Sequence, residues 1–134
     1  MEISKVVEQT LKELGVATLY LFGSRVQGIE RKDSDYDFGL LLENPSILIK
    51  GTEVLYQKIY DLLQDWVEEK VNIDIVFLDQ ATVQLRYQVI SYGKVLYDGH
   101  PVKRGRFIER TLTEHADFEP YRRIFEEAIL TRIS

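Results

Sequence analysis

The chain contains no cysteine. Disulfide bonds and thiolate metal sites are therefore excluded. It has no apolar run near the ~18 residues that a membrane helix needs. Its start lacks the basic, apolar and small-residue order of a signal peptide. These absences lead to the expectation of a soluble, cytoplasmic protein with no membrane partner. Positive charge is also in short supply: 17 Lys and Arg stand against 22 Asp and Glu, a net charge of -5. That balance speaks against nonspecific binding to nucleic acid, and no direct nucleic-acid binding is expected.

The deficit is uneven. Residues 1–99 hold 10 basic and 16 acidic side chains, whereas residues 100–134 hold 7 and 6. The remaining composition is ordinary for a globular chain, with 45% hydrophobic and 29% charged residues. A chain of 134 residues is expected to form one domain and to bury about 68% of its unfolded surface.

Periodicity divides the chain into alternating elements. Ile3, Val6, Val7, Leu11 and Leu14 fall at helical spacing, and Gly15 can end that helix. Residues 17–22 form a short apolar run and read as a strand. Residues 36–43 read as a second strand, whose run "FGLLL" is too continuous for a strand with one wet face. A helix over about 52–68, a strand at 71–78, a helix over 80–92 and a strand at 94–99 follow. From about 102 to 132 the chain looks helical again, with a break or kink expected near Pro120. The expected fold class is α+β with an α/β-like order. One domain over 1–134 is expected, with a core at 1–99 and a helical C-terminal tail at 100–134.

The acidic excess concentrates in "FGSRVQGIERKDSDYDF" at 22–38, between two apolar runs. Asp35 and Asp37 stand two apart at the start of a strand. Period two places them on one face, with Cα atoms roughly 7 Å apart. Asp74 lies inside the next strand between Ile73 and Ile75. A lone buried carboxylate there would be costly. Asp74 is therefore expected to face the same point as Asp35 and Asp37 and to share a cation with them. Three oxygen donors without His or Cys favour Mg²⁺ or Mn²⁺. Such ions commonly work on phosphate substrates, in pairs about 4 Å apart.

The Gly-Ser turn supplies the other half. Gly23 follows its strand directly, and Ser24 is expected to cap a short helix. A glycine turn and a helix N-terminus offer N–H groups to an anion. Gly23 lets the backbone approach a phosphate, the Ser24 hydroxyl can donate to an oxygen, and Arg25 can add charge. Arg25 taken alone reads as a surface arginine, and its place beside Ser24 makes it a candidate nucleotide ligand.

Other readings fit less well. Asp33, Ser34 and Asp35 suit a polar turn, but that leaves Asp74 unexplained. A calcium loop starting at Asp33 would need Gly where Phe38 stands and Glu where Asn44 stands. "GSRVQG" has P-loop spacing, but Ile29 and Glu30 replace the required Lys and Ser/Thr. Arg104, Arg106, Arg122 and Arg123 could engage an acidic partner or RNA, but fit a solvated helix face better.

Gly23 and Ser24, ten residues, then Asp35, Tyr36 and Asp37 form a Gly-Ser-x10-Asp-x-Asp pattern. With Asp74 in "NIDIVFL" as third carboxylate, the chain resembles the polymerase-β-like nucleotidyltransferases. Its size, "YGKVLYDG" and the helical ending "DFEPYRRIFEEAIL" resemble the minimal nucleotidyltransferases, the MNT antitoxins of HEPN/MNT toxin–antitoxin systems. The resemblance covers nearly the whole chain. It implies a polymerase-β-type fold, a small mixed sheet flanked by helices. Asp35, Asp37 and Asp74 would be catalytic metal ligands for two ions, with Asp74 a base or only a ligand. Gly23, Ser24 and Arg25 would bind the nucleotide. AMP would pass from ATP to a hydroxyl, with tyrosine the expected acceptor, on a HEPN ribonuclease toxin, and so neutralise it. The alternatives are a stand-alone adenylyltransferase of a small molecule such as an aminoglycoside, and an antitoxin that acts by binding only. Arg110 and His115 have the R-x4-H form of the toxins themselves, but five residues align poorly on a helix, so this reads as chance.

Overall fold

The computed structural model describes residues 2–28, 34–68 and 70–133. Its elements are α1 (Lys5–Glu13), β1 (Val16–Phe22), α2 (Ser24–Gln27), β2 (Tyr36–Leu42), α3 (Glu53–Val67), β3 (Ile73–Phe77), α4 (Val83–Tyr92), β4 (Lys94–Asp98) and α5 (Pro101–Ile133). Two short 3-10 turns, Pro45–Ile49 and Leu78–Gln80, add to the expected order.

Local chemistry sets the element ends. The Ser4 hydroxyl accepts from the Val7 amide at 3.3 Å and caps α1. Gly15 leaves that helix at φ 80°, where glycine carries no Cβ penalty. Thr82 caps α4 through the Leu85 amide. Val6 and Val54, both at helical spacing, stand exposed instead of in the core.

The sheet order is β3-β2-β1-β4. β1 runs antiparallel to β2 and β4, and β2 runs parallel to β3. A parallel pair needs a crossover connection, and α3 supplies it. Helices cover both faces, which explains the unbroken apolar run of β2. Leu11 of α1 and Ile59 and Leu63 of α3 pack with Leu19, Phe38 and Leu40. Tyr20 and Leu41 meet Val89 of α4 and Phe107 of α5 in a second cluster. Each fully buried side chain of this size contributes about 1.5–3 kcal/mol. Alternation along β2 sends Tyr36, Phe38, Leu40 and Leu42 toward α1 and α3. Asp37, Gly39 and Leu41 take the opposite face.

Of the break or kink expected near Pro120, the break does not occur: α5 is one helix that runs through it. A proline removes a single N–H from the ladder, and the turns on either side carry the helix across it. The first half of α5 is also part of the core: Phe107 and Thr111 are buried. Arg86 of α4 pairs with Glu114, and the Tyr87 and His115 rings stack at 3.7 Å. Among the described residues no helix is long and apolar enough to cross a membrane.

Candidate active site

The β1 chain leaves the sheet at Phe22, opposite Asp37 of β2. The next residue, Gly23, sits at φ 84° and ψ -157°, backbone that side chains other than glycine adopt only with strain. A Cβ on Gly23 would overlap the Asp37 carboxylate. The turn and the carboxylate are thus in van der Waals contact. Gly23, not Ser24, occupies the N-cap position of α2, and Ser24 is the first helical residue without a side-chain cap bond. The Val26 and Gln27 amides donate to the Gly23 carbonyl at 3.2 and 3.3 Å. A glycine with a positive φ can start the turn unaided, which leaves the Ser24 hydroxyl uncommitted to capping.

Asp37 is paired in register with Asp74 of β3. Phe22, Asp37 and Asp74 therefore form one row across three strands at the same end of the sheet. Asp37 is half-buried, whereas Asp35 and Asp74 are exposed. The expectation of a buried Asp74 is corrected: β3 is an edge strand, so its carboxylate reaches water. The electrostatic strain falls on Asp37. Burial pushes its pKa up first, then the charges of Asp74 and Asp35, then a hydrogen bond with Asp74.

Arg25 clamps the segment that carries the first aspartate. Its Nε and Nη2 donate to the Ser34 carbonyl at 3.2 and 2.8 Å. Its guanidinium also lies 4.3 Å from the centroid of the Tyr36 ring, a cation–π contact. Tyr36 is buried and stacks on Phe38 at 6.1 Å. Sequence spacing does not reveal this clamp, because Arg25 and Ser34 lie nine positions apart in the chain. Asp33, Ile29 and Glu30, invoked in the other readings, lie outside the described residues.

The donor set fits a hard divalent cation. The groups are carboxylate oxygens, and Asp37, whose pKa is raised by burial first and then by the charges of Asp74 and Asp35, would be favoured in its charged form by a cation. Among the described residues no three His, Asp or Glu side chains are already drawn together tightly enough to hold a metal. Arg110 and His115 each have another neighbour. Arg110 lies 3.9 Å from Glu114, and His115 is stacked on Tyr87. Arg104 is bound to Asp98 at 2.8 Å, and Arg122 pairs with Glu119 and Glu126 along its own helix.

A small mixed sheet with helices on both faces and a C-terminal helix is the polymerase-β-type fold. The chain belongs to the polymerase beta nucleotidyltransferase family, which matches residues 4–101. That match ends where α5 begins. Among solved structures, a chain from a crystal structure of a toxin–antitoxin with AMP-PNP is similar at TM-score 0.68 and 24% identity, over 91% of this chain and 94% of that one. A chain from the crystal structure of the MntA-HepT toxin–antitoxin reaches TM-score 0.61 at 21% identity, over 95% and 99%. A third, from tri-AMPylated Shewanella oneidensis HEPN toxin in complex with MNT antitoxin, reaches TM-score 0.64 at 18% identity, over 96% and 99%. At these identities the likeness is one of fold. No curated protein matches the chain by sequence.

Proposed function

We propose that this nucleotidyltransferase is an antitoxin that transfers AMP from ATP to a hydroxyl of a HEPN ribonuclease toxin, with tyrosine the expected acceptor. The observation that carries the reading is the contact of Gly23 with Asp37, itself in register with Asp74. It sets a turn able to accept phosphate directly against a carboxylate group suited to metal. The solved structures of similar fold support the partner, since one holds AMP-PNP and another an AMPylated HEPN toxin.

Asp35, Asp37 and Asp74 would hold Mg²⁺ or Mn²⁺, two ions in the full site. Bound there, the ions would neutralise the triphosphate and favour the leaving pyrophosphate. The Gly23 backbone would approach the phosphates and the Ser24 hydroxyl would donate to one of their oxygens. Arg25 would add charge from the edge of the turn while it holds Ser34 and Tyr36. The acceptor oxygen forms a bond to the α-phosphorus, and the bond to pyrophosphate breaks. The acceptor proton passes to Asp74 or to water, and Asp74, exposed at the sheet edge, is open to an incoming hydroxyl. Catalysis of this kind rests on alignment and charge neutralisation. Residues 1–134 act as one unit in this reading, with chemistry in 1–99, and they act in the cytoplasm, where ATP and the toxin meet.

The test is intact-mass spectrometry of the toxin incubated with the protein, ATP and Mg²⁺. AMP-sized additions are expected, absent with Asp35→Ala/Asp37→Ala. An unmodified toxin that the double variant still neutralises would establish an antitoxin that acts by binding only. Consumption of ATP with an aminoglycoside and not with the toxin would establish a small-molecule enzyme.

A further inference from the structure

α5 keeps its packing face after the domain beneath it has ended. A rhythm of four and three residues runs from Phe107 through Thr111, Glu114 and Phe118 to Tyr121, and seven residues later reaches Ala128. Phe107 and Thr111 on this face are buried, and Glu114 holds Arg86 of α4. Phe118 is already 40% exposed, Tyr121 is 72% exposed, and Ile124 at the border of the face is 65% exposed. The polar side satisfies itself, with Arg122 bonded to Glu126 at 3.3 Å and lying 3.8 Å from Glu119. Residues 119–133 extend the helix by about 22 Å.

We propose that this overhang is the docking surface for the partner protein, and that the partner encloses it in a groove between its own helices. The proposal rests on the reading that the chain acts on a protein. Charge argues against other occupants. Residues 119–133 carry three acidic and three basic side chains, a neutral balance without the basic excess that nucleic acid or an anionic membrane would select. Area argues against a second copy. Aromatic side chains bury about 150–250 Å² each. At these exposures Phe118, Tyr121 and Ile124 together offer roughly 350 Å² per copy, so two copies meeting on these three side chains would cover about 700 Å². Stable interfaces start near ~1,200 Å². A groove covers the stripe and both of its flanks, and it continues the face by which α5 already packs on α4.

The test is calorimetry of the HEPN toxin with the wild-type protein and with Tyr121→Asp/Ile124→Asp. Both positions are exposed, and unchanged ATP affinity reports an intact fold. The double variant is expected to bind the toxin about thirtyfold more weakly or worse. Equal toxin affinity overturns the docking surface alone. Failure of the wild type to bind the toxin removes the partner reading and this proposal with it. Self-association of the wild type in sedimentation, lost in the variant, assigns the face to a second copy and also overturns the proposal.

Discussion

The α-carbon of Gly23 faces the carboxylate of Asp37 so closely that no side chain fits between them. The two residues belong to different strand ends, fourteen positions apart in sequence, and antiparallel pairing of Phe22 with Asp37 brings them together. The turn and the acid are thus one unit, and each constrains the other.

Gly23→Ala is expected to displace Asp37 and to strain a backbone held at φ 84°. Strain of this kind costs about 1–3 kcal/mol, and urea unfolding should show a loss in that range. Nucleotidyl transfer should fall by roughly two orders of magnitude, because a small misplacement of a catalytic group is that costly. Wild-type stability and turnover in this variant would show that the turn tolerates a side chain.

Asp37 should destabilise the metal-free protein at neutral pH. Its folded-state pKa is raised, by burial first and then by Asp74 and Asp35. The contribution of its protonated form is full below the unfolded carboxylate range and is lost as pH rises through the folded value. In EDTA, Asp37→Asn should therefore melt a few degrees higher near neutral pH, with the gap closing below about pH 4. A lower melting temperature at neutral pH would mean that Asp37 has a stabilising partner.

Arg25 separates positioning from ligand binding. Arg25→Lys keeps a positive charge but loses the fork on the Ser34 carbonyl and the flat contact with Tyr36. Turnover is expected to drop about tenfold or more with KM for ATP little changed, as a clamp on the Asp35 segment requires. A large rise in KM with kcat preserved would make Arg25 a phosphate ligand first.

Metal and nucleotide should bind together. A triphosphate and three neighbouring carboxylates repel one another unless a cation lies between them. Calorimetry should show tight ATP binding with Mg²⁺ or Mn²⁺, and at least about tenfold weaker binding in EDTA or with Asp35→Asn. Equal affinity with and without metal would exclude this arrangement.

Much of this could be read along the chain because it is local. The spacing of Gly23, Ser24, Asp35 and Asp37 is a property of one turn and two strand ends. The unbroken apolar run of β2 already required helices on both faces, and both are present. What the sequence could not determine depends on neighbours distant in the chain. Asp74 between two isoleucines reads as buried, yet the strand order puts β3 at the sheet edge and its carboxylate in water. The desolvation expected there falls on Asp37, because β2 lies between β1 and β3. Arg25 reads as a surface arginine or a nucleotide ligand, and only the tertiary structure gives it Ser34 and Tyr36. Pro120 reads as a break or kink, and there is no break, since one missing donor does not stop a helix whose first half is anchored by Phe107 and Glu114. Residue types and their spacing determined the chemistry available. Strand order and packing decided which carboxylate is half-buried and which described apolar side chains of α5 stand exposed, because burial and pairing depend on what the fold brings alongside.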